Sequence, residues 1–150
     1  MTNGAAATTS RRRIALALLA LATVGIGLIV HSGMSGAVGD IAGDALYAVL
    51  IYLLIALIAP RWSRPVVALI ALAFCAGVEL LQLTGLPREW AAAFPPSRLV
   101  LGSGFDMRDI AVYAGAVVVT AVVDAAVTRS FARAASRNAT GRPPEGERPV

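Results

Sequence analysis

The stretch Val66-Val-Ala-Leu-Ile-Ala-Leu-Ala-Phe-Cys75-Ala-Gly-Val-Glu79-Leu-Leu-Gln82-Leu83 decides the fold. It holds a single charged residue, Glu79. As a helix rising about 1.5 Å per residue, a run of this length is about as long as a bilayer's hydrocarbon core is thick. Three further runs share that character: Ile14–Val30, Asp44–Ala59 and Ile110–Val127. The spacing predicts four helical spans, 14–30, 44–59, 66–83 and 110–127, forming one membrane domain over residues 14–127. Residues 1–13 and 128–150 read as disordered basic tails, because they are polar and carry no apolar period.

Composition supports a membrane protein. The chain has 150 residues, 57% of them hydrophobic, and a mean hydropathy of +0.73. A soluble domain must cover itself with polar surface and does not carry this much apolar sequence. The N-terminus also looks like a secretory signal, with Arg11-Arg12-Arg13 before an apolar run and Ser35-Gly36-Ala37 as a cleavage-like site. The run is long for a signal core and more spans follow it, so it reads as a retained span. All 13 basic residues are Arg, and the net charge is +4. These Arg residues lie in short clusters beside the spans, which is how topology is encoded, so no nucleic-acid partner is expected. With one Cys, Cys75, and one His, His31, the chain has no internal disulfide and no Cys/His metal-ligand spacing.

Topology follows from the Arg count. The N-terminal tail, the 60–65 connection and the C-terminal tail share one side of a four-span protein and hold ten Arg. The other side holds three, Arg88, Arg98 and Arg108, all in the long 84–109 connection. Both termini are therefore expected in the cytoplasm, and that connection on the extracytoplasmic face. It is rich in Pro and Gly, and Trp90–Phe94 suits a short interfacial helix.

Polar residues near span ends form the candidate site. Asp44 and Tyr47 are three apart, Glu79 and Gln82 three apart, and Asp109 and Tyr113 four apart, so each pair shares a helix face. Antiparallel order brings all three pairs to the extracytoplasmic end. Glu79 lies about 6 Å below the end of its helix. An ionised carboxylate at that depth must face the bundle interior and find a partner. Arg98 and Arg108 flank the set, and either can neutralise a carboxylate or hold an anion with its planar fork. Interhelical hydrogen bonds are the structural alternative, and carboxylates can also hold a divalent cation. Asp124 reads as a partner of Arg129 at the opposite end. Ala73/Gly77 and Ala111/Gly115 read as small pairs that let helices pack closely.

These motifs carry a resemblance. Gly43-Asp44-Ala-Leu-Tyr47, Glu79-Leu-Leu-Gln82-Leu83 and Arg98-Leu-Val-Leu-Gly102 through Asp109-Ile-Ala-Val-Tyr113-Ala-Gly115 resemble the bacterial membrane proteins of the domain of unknown function 2809 family, over roughly 14–127. More distantly the chain is similar to the VanZ-like family, whose namesake is associated with teicoplanin resistance. That family has an Asp paired with a His, a Glu-x-x-Gln, and an Arg with Asp-x-x-x-Asn. Asp44, Glu79, Gln82, Arg98 and Asp109 match it, while Tyr47 and Tyr113 stand in place of its His and Asn. The resemblance implies a bacterial plasma-membrane bundle with a polar pocket of Asp44, Tyr47, Glu79, Gln82, Arg98, Asp109 and Tyr113.

Three functions are then in play. The favoured one is a non-catalytic protein that binds an envelope lipid or cell-wall precursor headgroup. The second is an enzyme acting on an envelope lipid, with Glu79 or Asp109 as base and Arg98 stabilising an anion. The third is a small proton-coupled transporter using Glu79, although transporter sites lie nearer the midplane. No motif supplies a nucleophile, a cofactor or a metal, which favours the first.

Overall fold

The computed structural model describes residues 3–102 and 104–140. Four long helices make the bundle: α1 (Asn3–Gly33), α2 (Ala37–Ile58), α3 (Arg64–Gln82) and α6 (Met107–Thr140). Two short helices, α4 (Leu86–Ala93) and α5 (Arg98–Leu101), with a 3₁₀ turn between them (Pro95–Ser97), fill the connection from α3 to α6. No strand occurs among the described residues. All four long helices are long and apolar enough to cross a membrane. The chain is an all-α four-helix membrane bundle.

Local chemistry sets the breaks. α2 stops just before Pro60, and α3 starts on Arg64-Pro65, where proline's missing N–H costs nothing. Gly85 takes a left-handed conformation (φ 80°) that turns the chain out of α3 and into α4. The interfacial helix runs earlier than the 90–94 expected, because Pro87 opens it one residue after Leu86.

Three boundaries differ from the sequence reading. α2 begins at Ala37, not Asp44, with the Asp40 N–H donating to the Gly36 carbonyl at 3.1 Å. Asp40 in that first turn complements the helix dipole. Asp44 therefore sits about 10 Å along the helix instead of at its tip. α1 extends back to Asn3 and α6 forward to Thr140, so residues 3–13 and 128–140 are helical where disorder was expected. Both stretches are Ala-rich and free of proline, so nothing in them stops a helix. Residues 141–150 lie outside the described residues.

α2 is the central helix, packed against α1, α3 and α6. Its Ala48, Tyr52, Leu53 and Ala56 are buried, facing Leu16 and Ala20 of α1, Ala71 and Cys75 of α3, and Tyr113 and Val117 of α6 in one core. Alanines at these seams allow close approach. The expected small pairs do not serve this purpose. Ala73, Gly77, Ala111 and Gly115 all face outward. The exterior is apolar: Leu18, Leu21, Ile29, Leu69, Val119 and Val122 are each more than half exposed. At most 22% of any span's most apolar stretch is buried. Water would penalise such a surface, whereas hydrocarbon accommodates it.

Both chain ends leave from the same end of the bundle, and an ionic lock closes it. Asp124 Oδ2 of α6 accepts from Arg12 Nη2 of α1 (3.1 Å), Arg64 Nε of α3 (3.1 Å) and Tyr52 OH of α2 (3.2 Å). Arg12 Nη1 also donates to the Pro60 carbonyl at 2.8 Å. The expected Asp124–Arg129 pair is replaced by these partners. A residue five positions on points to another side of a helix, since neighbours on one face are three or four apart. Asp124→Ala leaves two guanidiniums, each about 30% exposed, without their carboxylate. It should lower the unfolding free energy of the detergent-purified protein by about 1–2 kcal/mol, the low end for a charged hydrogen bond because water still reaches both Arg. Arg129→Ala should leave the same unfolding curve in place.

Candidate functional site

The opposite end gathers polar side chains from α2, α3 and α6. Glu79 is fully buried at the end of α3. Its Oε1 accepts the Tyr113 hydroxyl of α6 at 2.8 Å, and its Oε2 accepts the Asp106 backbone N–H at 3.3 Å. A buried carboxylate needs such donors to offset its lost hydration. With both oxygens held by protein donors, Glu79 is a fixed acceptor more than a base open to substrate.

Asp106 does two further jobs. Its Oδ1 accepts the Arg108 N–H at 2.9 Å, and its carbonyl accepts the Asp109 N–H at 3.0 Å, so it caps the start of α6. The sequence carries a signal for this cap, since Asp106-Met-Arg-Asp109 has the spacing of a capping box.

One turn beyond Glu79, Gln82 Nε2 donates to the Leu101 carbonyl at 2.8 Å and ties α5 to α3. Gly102 makes this possible. Its backbone (φ 68°, ψ −167°) lies in a region reserved for glycine, and a Cβ there would collide with the Gln82 amide. From α2, the Tyr47 ring stands 6.3 Å from the Tyr113 ring with planes inclined at 54°. The half-buried Asp44 carboxyl neighbours Asp109. Arg108 Nη2 is 3.5 Å from Asp109 Oδ1 and 3.6 Å from Asp106 Oδ2.

The structure brings Asp44, Tyr47, Glu79, Gln82, Asp109 and Tyr113 to one end of the bundle. Arg98 is not joined to them: its side chain is exposed, with no ion pair or side-chain hydrogen bond among the described residues. Arg108 supplies the cation instead, because it lies on the first turn of α6 next to Asp109. Among the described residues no three His, Cys, Asp or Glu side chains are arranged to hold a metal ion.

Two atoms in this cluster, Tyr47 OH and Gln82 Oε1, are buried without a hydrogen-bond partner among the described residues, and a third, Asp109 Oδ1, has only its 3.5 Å ion pair with Arg108. They come from the three helices that hold the cluster.

The model of a family described as a protein of unknown function, DUF2809, matches residues 34–132. The chain belongs to this family. The DUF2809 region includes α2 through most of α6 and every residue of the polar cluster, while α1 precedes it. No curated protein and no solved structure matches the chain.

Two tyrosines should respond in opposite directions. Tyr113→Phe removes the donor to buried Glu79 and should cost about 1–3 kcal/mol of stability. Tyr47→Phe removes a buried hydroxyl that has no partner and should gain about 1 kcal/mol. Thermal unfolding of the two purified variants, beside wild type, reads both signs.

Proposed function

We propose that this chain is a multi-pass protein of the bacterial plasma membrane whose polar end, on the extracytoplasmic face, binds the headgroup of an envelope lipid or cell-wall precursor without catalysis. One observation carries the reading. Among the described residues Tyr47 OH and Gln82 Oε1 stand buried without a hydrogen-bond partner near the fixed Glu79–Tyr113 bond, beside an Asp109 Oδ1 whose one contact is the 3.5 Å ion pair with Arg108. Each such atom destabilises the protein by about 1–3 kcal/mol, a cost a ligand's donors can offset.

Charge narrows the ligand. Arg108 pairs with Asp106 and Asp109, and Asp44 and Glu79 stand beside them, so acceptor oxygens dominate this end. Sugar hydroxyls and amino groups donate to carboxylate and amide oxygens, whereas an ionised phosphate offers them no donor. The part of the headgroup recognised is therefore its sugar or amine. Leu101 of α5 and Asp106 are tied to the cluster by the Gln82–Leu101 and Glu79–Asp106 bonds, and these bonds would have to yield to admit a ligand.

Retention by the full-length chain in nanodiscs tests this. The probes are a glucosyl-diacylglycerol and the same diacylglycerol without sugar, read by native mass spectrometry. The sugar-bearing lipid should be retained about tenfold better, and the paired change Gln82→Leu with Asp109→Asn should remove that preference. Equal retention of both lipids by wild type sinks the reading.

Sidedness has its own test, since Cys75 is the chain's one thiol and is buried. In a Cys75→Ala background, Ser35→Cys should react with a membrane-impermeant maleimide added to whole cells, and Ser63→Cys should not. The reverse pattern would invert the topology.

A further inference from the structure

The Arg-rich end of the bundle carries a second feature. A groove of about 530 Å³ runs from the α2–α3 turn onto the outer faces of the helices, lined by Arg13, Ile55, Ile58, Arg61, Trp62 and Ile70. The volume suits a small-molecule site. Ile58 is 78% exposed and Trp62 51%, so the apolar lining is open to its surroundings.

The two arginines on its rim are unspent. Arg12 and Arg64 share the Asp124 carboxylate, but Arg13 and Arg61 have no ion pair or side-chain hydrogen bond among the described residues. The Arg12–Pro60 bond pins α1 to the turn that forms the groove's mouth, which fixes where the neighbouring Arg13 stands. Ile70 lies six residues above Arg64 in α3, and Ile55 three residues from Ile58 in α2. The groove thus reaches about 9 Å along α3 and about 5 Å along α2, into the apolar zone. Trp62 lies in the short turn between the apolar helices α2 and α3, and an indole suits such a span end.

We propose that this groove holds one anionic phospholipid. Its phosphate sits between Arg13 and Arg61, and the upper part of an acyl chain lies along Ile55, Ile58 and Ile70. The occupant follows from charge and surroundings. Two free guanidiniums call for an anion, and the isoleucines below them face the lipid phase. A second copy of the chain would bring an equally cationic rim to the same end. This site does not depend on the polar cluster at the other end, whose carboxylates select against phosphate.

The test uses the full-length chain in nanodiscs containing equal phosphatidylglycerol and phosphatidylcholine with identical acyl chains, with retained lipid counted by native mass spectrometry. Wild type should retain phosphatidylglycerol about tenfold over phosphatidylcholine. Arg13→Gln with Arg61→Gln should abolish the preference while leaving thermal unfolding in phosphatidylcholine unchanged. Arg13→Lys with Arg61→Lys should keep most of it, and millimolar inorganic phosphate should not displace the lipid. Arg129→Gln, on the same end but outside the groove, should change nothing. The proposal is overturned if wild type shows no preference, if Arg129→Gln weakens retention as much as the groove pair does, or if phosphate displaces the lipid. It is equally overturned if the groove variant converts a dimer to a monomer without altering lipid retention, which would make a second copy the occupant.

Discussion

A charged group within the thickness of a bilayer must find its partner inside the protein, and here that requirement is met twice between the same two helices. At one end Arg64 of α3 binds Asp124 of α6, and at the other Glu79 of α3 accepts from Tyr113 of α6. The two links pin an antiparallel pair at both ends. Sliding α3 against α6 by one turn, about 5.4 Å, would break both and leave the buried Glu79 carboxyl without its Tyr113 donor. Tyr52 brings α2 into the first link, and Arg12 brings in α1. The alanine seams around α2 can then close, because the polar bonds have already chosen the register.

The two ends handle polarity differently. Asp124 Oδ2 collects three donors from three helices, so that end is locked. The Glu79 end holds one well-made core bond and leaves Tyr47 OH and Gln82 Oε1 near it without a hydrogen-bond partner among the described residues. Packing alone would not retain such atoms, since apolar replacements of the same shape are cheaper to bury. Folds tend to carry local costs of this kind where they act. The Asp124 end leaves only Arg12 Nε buried without a hydrogen-bond partner among the described residues, and the contrast is the reason to seek function at the Glu79 end and stability at the Asp124 end.

Much of this was legible in the chain. The helical spacing of Asp44/Tyr47, Glu79/Gln82 and Asp109/Tyr113 is a local property, and alternating span direction brings the pairs to one end whatever the packing. Arg98 was misread because a cation in a long connection can reach many places, and helix α5 turns it outward. Asp106 was passed over because its main contribution to the cluster is a backbone N–H, which every non-proline residue has. Asp124 was given its nearest Arg in sequence, but its actual partners lie 112 and 60 positions away.

By itself the sequence determined the number of spans, their antiparallel order and the end at which the carboxylates gather. Those follow from run length, connection length and the 3.6-residue period, all of them short-range quantities. Only the tertiary structure decided which donor meets which acceptor, how deep Asp44 lies, and which oxygens go unpaired. Partner choice depends on how each helix is rotated and shifted against its neighbours. Rotation and shift are set jointly by the alanine seams on α2 and the polar links between α3 and α6, and no single segment encodes them.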